Sequence, residues 1–171
     1  MELITKRLIL RPFRLNDAPE LQRLVCDPKL AKWTRCFSSP FSIEESVDWL
    51  NKTIQKTKSG ENVTLSIHLK HGGNLIGAVS FQKKDMLKAE VGYWLGVPFW
   101  RKGYCSEALG ALIDFSFTTQ KVTRIIARCE KDNIASQKVM IRCGMHFVNE
   151  SYGVVNIKNR EVKIVTYVRF R

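Results

Sequence analysis

Trp100-Arg101-Lys102-Gly103-Tyr104-Cys105-Ser106-Glu107-Ala108-Leu109 decides the reading of this chain. The run Ala89–Val97 before it is strand-like and is stopped by Pro98, and Leu109, Leu112, Ile113 and Phe117 then recur at helical spacing as far as Thr119. A helix that opens directly after a strand and a glycine turn leaves its first backbone N–H groups unpaired. With the positive end of the helix dipole, those groups form a seat for phosphate or pyrophosphate. Arg101 and Lys102 add cations at the same mouth, and Gly103 lets the main chain approach a ligand with no Cβ between them. The stretch therefore implies an anionic, nucleotide-like cofactor held mainly by backbone. A strand–glycine–helix link is also ordinary topology in α/β chains. The stretch lacks the Lys-Ser/Thr of a P-loop and the G-x-G-x-x-G of a dinucleotide fold, so its weight depends on the rest of the chain.

Outward from this stretch, short strands alternate with helices. Residues 3–12 read as a strand, and Asp17–Asp27 as a helix with Leu21, Leu24 and Val25 on one side and Asn16 or Asp17 as cap. Residues 28–41, interrupted by Pro28 and Pro40, read as a loop or short helix, and Ser42-Ile43-Glu44-Glu45 fits a capping box that starts a helix to about Lys58. Residues 62–70 and 75–83 alternate in polarity, with His71-Gly72-Gly73-Asn74 as the hairpin turn between them. Val122–Glu130 reads as a strand, Asn133–Cys143 as a helix ended by Gly144, and Val148–Val155 with Glu161–Phe170 as a closing hairpin that turns near Asn159. No repeat, linker or low-complexity tract divides the chain. Residues 1–171 are thus expected to form one α/β domain, with a mixed, mainly antiparallel sheet of six to seven strands flanked by about four helices.

Composition narrows the class. A chain of 171 residues, 44% of them hydrophobic, can bury a substantial core, and no apolar stretch is long enough for a membrane helix. Met1-Glu2-Leu3 does not begin a secretory leader, and five cysteines without C-x-x-C spacing read as reduced thiols, so a cytoplasmic location is expected. His68, His71 and His146 make no zinc pattern, and no metal is expected. The net charge of +12 is spread along the chain, +5 over residues 1–85 and +7 over 86–171. Such a field favours a phosphorylated cofactor, an acidic protein or RNA, and equally suits a generally basic, soluble surface.

The phosphate-binding stretch resembles that of the GNAT N-acetyltransferase family, whose loop reads Q/R-x-x-G-x-G/A. It is closest to the RimJ/RimL-like branch that acetylates ribosomal-protein N-termini, where Trp commonly takes the position of Trp100. Thr5-Lys6-Arg7-Leu8-Ile9-Leu10-Arg11-Pro12 looks like that branch's opening strand, Leu75-Ile76-Gly77 its third strand and Ala89-Glu90-Val91-Gly92-Tyr93-Trp94-Leu95 its fourth. Asn133-Ile134-Ala135-Ser136, with Gly144 beyond it, is similar to the helix past the cofactor. The resemblance implies a sheet splayed between its fourth and fifth strands and acetyl-CoA as co-substrate. Backbone groups of Leu95 and Val97 would take the pantetheine arm, the N–H groups of Arg101, Lys102, Gly103, Tyr104, Cys105 and Ser106 the pyrophosphate, and Asn133 the arm again. Cys105 departs from the family's usual Gly or Ala; it is small enough to keep a backbone contact, and either inert packing or an oxidisable thiol beside the cofactor would follow.

Acetyl transfer to an amine needs a neutral amine, a polarised thioester carbonyl and a proton for the departing thiolate. Glu90, on the same strand face as Gly92 and Trp94, is the best acidic candidate for taking the amine proton, and a salt-bridged surface carboxylate is its structural alternative. A backbone N–H near Leu95 suits the oxyanion. Asn133 and Ser136 suit a helix N-terminus by themselves; the resemblance places the Ser136 hydroxyl near the sulfur. Many members carry a Tyr acid four residues further on, where this chain has Met140, which leaves Ser136 as donor, with Tyr104 and Tyr152 as weak substitutes. The branch favours a protein N-terminal α-amine as acceptor, attacking directly in a ternary complex. A small amine or amino sugar would use the same machinery. Ribosome association, no membrane contact, and a monomer or homodimer are the implied associations. A non-catalytic acyl-CoA-binding factor and a basic RNA-binding module are the readings of other classes, the latter without an RNP-like strand or a GXXG loop.

Overall fold

The central strands bury residues on both faces, so both faces of the sheet must be covered, and helices on the two sides cover them. The computed structural model describes residues 1–60, 62–155 and 160–171. Among them lie eight strands: β1 Leu3–Ile4, β2 Leu8–Pro12, β3 Val63–Leu69, β4 Leu75–Lys83, β5 Lys88–Leu95, β6 Arg124–Glu130, β7 His146–Val155 and β8 Arg160–Phe170. They form a single sheet in the order β1-β2-β3-β4-β5-β6-β8-β7. The helices are α1 Ala18–Val25, α2 Pro28–Ala31, α3 Ile43–Ser59, α4 Tyr104–Thr118 and α5 Ile134–Arg142. The strand expected over residues 3–12 is broken in two because the Thr5 N–H reaches the Leu8 carbonyl at 3.0 Å, folding β1 back onto β2 with Leu3 opposite Leu10. The turn expected near Asn159 lies outside the described residues.

Two apolar clusters sandwich the first half of the sheet. One face buries Leu65, Ile67, Val79, Val91 and Ile125 against Leu109, Leu112 and Ile113 of α4 and Met140 of α5. The other buries Ala78 under Leu21 and Leu24 of α1 and Leu50 of α3, with Phe37 edge-on to Trp94 at 5.4 Å between ring centroids. Ser42 caps α3 by accepting from the Glu45 N–H at 3.1 Å while Glu45 accepts from the Ser42 N–H at 2.7 Å, the capping box read from the sequence.

All neighbouring strands pair antiparallel except β5 and β6. Their parallel pairing covers Lys88 to Glu90 against Arg124 to Ile126 and then stops. Beyond it β5 stays on β4 as far as Gly77 opposite Leu95, and β6 stays on β8 as far as Glu130 opposite Ile164. The two halves of the sheet diverge there. This is the splay expected between the fourth and fifth strands, shifted by one in number because β1 is a separate strand.

Candidate active site

The outer end of this opening is built from β5 and the link to α4. The Gly96 N–H donates to the Ile76 carbonyl at 2.9 Å, so even-numbered residues point their main chain at β4 and the odd-numbered ones, Leu95 among them, point it at the opening. Trp100 takes up the carbonyls there: its indole N–H donates to Leu95 at 2.7 Å and its backbone N–H to Val97 at 3.2 Å. The contribution left to these two residues is therefore their N–H groups, a narrowing of the sequence reading. Arg101 (φ 61°) and Gly103 (φ 79°) both adopt left-handed backbone, which turns the chain sharply into α4. Gly103 is the N-cap and no side chain caps it. The first helical bond runs from the Glu107 N–H to the Gly103 carbonyl, 3.1 Å. Among the described residues, no acceptor meets the N–H groups of Tyr104, Cys105 or Ser106, so they face out of the helix end with the exposed Arg101 and Lys102 beside them.

A brace that the sequence did not reveal holds this helix end. The Glu107 carboxylate accepts from Thr5 Oγ1 at 2.6 Å, from the Arg7 N–H at 2.8 Å and from Arg7 Nε at 2.7 Å. Arg7 Nη1 donates onward to the Lys102 carbonyl at 3.0 Å, and its guanidinium stacks 4.5 Å from the Tyr104 ring centroid. Burial would raise the Glu107 carboxyl, but the hydrogen bonds from Thr5 and Arg7 and the Arg7 charge outweigh it and hold it below the usual range. Residues a hundred positions apart meet here, and no local spacing announces that.

The remaining candidates lie on β5 and at the start of α5: Glu90 and Tyr93 on the diverging strand, Asn133 and Ser136 at the helix end that follows β6. Glu90 is the last residue of β5 to pair with β6, on the face of α1 and α3. Its oxygens lie 3.3 Å from Lys84 Nζ and 3.8 Å from Arg128 Nη1, so the carboxylate read as a candidate base is also an ion-pair partner. On the opposite face the Tyr93 hydroxyl reaches α5, 2.8 Å from Ser136 Oγ and 3.0 Å from the Ser136 carbonyl. Asn133 caps α5 by accepting from the Ser136 N–H at 3.0 Å. Cys105 packs against the main core and its burial pushes the thiol up, which fits inert packing rather than a reactive group. Met140 is buried and apolar. The described residues hold no cluster of potential metal ligands, and no helix among them is long and apolar enough to cross a membrane.

This arrangement has counterparts. The family description "Acetyltransferase (GNAT) domain" matches residues 7–146. An N-acetyltransferase of uncharacterised role, p20 of Bacillus licheniformis, is 34% identical over 141 residues, covering 81% of this chain and 78% of that protein. The chain belongs to the GNAT acetyltransferase family. Another GNAT relative is the ribosomal-protein-serine acetyltransferase of Escherichia coli, 26% identical with 92% of this chain and 94% of that one covered. The fold also superposes on RimL, a ribosomal L7/L12 α-N-protein acetyltransferase in complex with coenzyme A, with a TM-score of 0.84 at 23% identity over 99% of this chain and 98% of that chain. In this GNAT acetyltransferase the sheet is open between β5 and β6 beyond Glu90 and Ile126, and the start of α4 carries no side-chain cap.

Proposed function

We propose that this GNAT acetyltransferase moves the acetyl group of acetyl-CoA to a primary amine, and that the preferred acceptor is a protein N-terminal α-amine. The parting of β5 and β6 after Glu90 and Ile126 carries the reading, because it gives one carrier two kinds of contact. An extended pantetheine chain with two amides pairs with the free edge of β5 at Leu95, much as an added strand would, and meets the Val97 N–H in the turn just past the strand's end. Its pyrophosphate meets the N–H groups of residues 101–106 and the side chains of Arg101 and Lys102. The Asn133 side-chain amide, whose oxygen is committed to the Ser136 N–H, offers its nitrogen to the arm.

The chemistry runs across the sheet. An amine on the Glu90 and Trp94 side attacks the thioester carbonyl, Glu90 takes the amine proton directly or through water, and the edge N–H of β5 stabilises the oxyanion. Ser136, on the other face, hydrogen-bonds the departing sulfur. An α-amine loses its proton near pH 8, roughly two units below a lysine side chain, which makes it the easier nucleophile for a carboxylate of this kind. The ribosomal-protein relative and the basic surface support a protein acceptor. Calorimetric titration with CoA, followed by thiol release from acetyl-CoA with a panel of N-terminal peptides, lysine analogues, small amines and amino sugars, tests both parts. Heat with CoA and turnover of free-N-terminus peptides are expected. No heat overturns the carrier; turnover of amino sugars without peptides overturns the acceptor.

A further inference from the structure

Tyr93 stands beyond the last β5–β6 pair, on the α4 and α5 face, and its side chain bridges the opening to the first turn of α5. The ring packs against the main core beside Cys105, Cys129 and Cys143, in surroundings where phenylalanine would fill the same space. Its hydroxyl is the feature that packing does not require, and both of its contacts are to one residue, Ser136. The backbone of that serine is itself fixed, since its N–H is held by Asn133.

Each hydroxyl has one proton and two acceptor positions, so two proton arrangements satisfy these distances. In one, Ser136 donates to Tyr93 and Tyr93 to the Ser136 carbonyl. In the other, Tyr93 donates to Ser136 Oγ, which turns the serine proton away from the ring, toward the neighbouring Cys129 sulfur or an acceptor in the opening. An acceptor in the opening selects the second.

We propose that Tyr93 is a positioning residue that aims the Ser136 hydroxyl at the sulfur leaving the acetyl group; the inference rests on the acetyl-CoA reading above. In the step it serves, the C–N bond forms and the C–S bond breaks, and the bonding pair stays on sulfur. The amine gives its proton to Glu90 or water, and the thiolate, held by the Ser136 hydrogen bond, takes an equivalent proton from solvent as it departs. Ser136 and Tyr93 keep their own protons throughout. Burial pushes the Tyr93 phenol well above its ordinary value, which suits a group that holds rather than gives up a proton. It also relieves Ser136, a weak acid, of net donation at a site where Met140 contributes none.

The test follows the thiol of CoA bound to the intact protein, by thiolate ultraviolet absorbance against pH, as difference spectra against each CoA-free protein. Wild type, Tyr93→Phe, Ser136→Ala and the double variant are compared. Tyr93→Phe and Ser136→Ala should each raise the bound thiol's pKa by about one unit, a 10-fold loss of thiolate at a given pH, and the double variant should go no further. In turnover, Tyr93→Phe should lower kcat roughly 10-fold with the KM for acetyl-CoA changed less than about 2-fold, and should cost nothing more in the Ser136→Ala background. A Tyr93→Phe protein that binds CoA with an unshifted thiol, or losses that multiply in the double variant, overturn the positioning role. Absence of CoA binding by wild type overturns the acetyl-CoA reading and this inference with it.

Discussion

Gly77 shows how closely two backbones must pass beside the opening. A Cβ there would collide with the Trp94 carbonyl and lie 2.9 Å from the Leu95 Cα, and backbone atoms cannot swing aside as a side-chain tip does. Gly77→Ala is therefore expected to cost about 2 kcal/mol, in the range of core overpacking, as a lower urea midpoint with an unchanged m-value. Glu90 is the residue to which the proposed chemistry assigns the amine proton. Glu90→Gln keeps the shape but removes both the proton acceptor and the partner of Lys84 and Arg128. The expectation is a fall in kcat of roughly 100-fold with CoA affinity unchanged, measured by thiol release and calorimetry; full turnover would reduce Glu90 to its ion pairs. The loop glycine, the cations beside it and the Asn133-to-Ser136 helix start were legible because their meaning is local. Tyr93 was not: its position on a strand reads as packing, and only the divergence of β5 from β6 gives its hydroxyl a partner on α5.

At the scale of elements, the start of α4 is held from outside by the link between β1 and β2. Arg7 ties the carboxylate of Glu107 to the Lys102 carbonyl, so the brace fixes where the first N–H groups of the helix point. Arg7→Ala should weaken CoA binding about 10-fold, roughly 1.4 kcal/mol, while kcat at saturation stays within a few-fold; equal affinity in calorimetry would show that the loop keeps its form unaided. A second brace joins β2 to the turn before α1, where Arg11 forms a two-pronged pair with Asp17 at 3.0 and 2.7 Å. Burial opposes ionisation of Asp17, but the hydrogen bonds from Arg11 and the Arg14 N–H, with the Arg11 charge, hold its pKa below 3.8. A carboxyl with a lowered folded pKa adds stability above its unfolded value and loses it as pH falls through the folded one. The neighbouring His68, lowered mainly by burial below 6.5, is held neutral in the fold and costs stability as acid protonates the unfolded chain. Urea midpoints should thus fall first below about pH 6.5 and again below about pH 4. Asp17→Asn should lose roughly 3 kcal/mol at neutral pH and flatten the second decline; an unchanged acid limb would put that decline elsewhere.

For the molecule as a whole, strand and helix order was readable because each run keeps one period of apolar residues and most ends carry a cap, turn or proline. The break between β1 and β2 escaped, since alternation runs straight through Thr5 and only the hydrogen bond to Leu8 reveals the fold-back. The opening escaped periodicity too: the apolar pattern of β5 is the same whether its next neighbour follows it or diverges, and it was expected only from resemblance. That shape has a consequence for stability. Two half-sheets joined by three parallel residue pairs, with core on both faces, should gain cohesion from a molecule that spans the gap. A carrier present at a hundred times its dissociation constant adds about 2.7 kcal/mol, which for a domain of this length raises the melting midpoint by roughly 5–10 °C. Part of the gain should come from Arg101 and Lys102 meeting phosphate, so the rise should shrink between low and high salt, whereas contacts to N–H groups within the opening are screened less. Calorimetric melts with CoA at two ionic strengths measure both effects. A rise that ignores salt would assign binding to the main chain alone, and no rise at either would mean that the folded protein does not bind CoA.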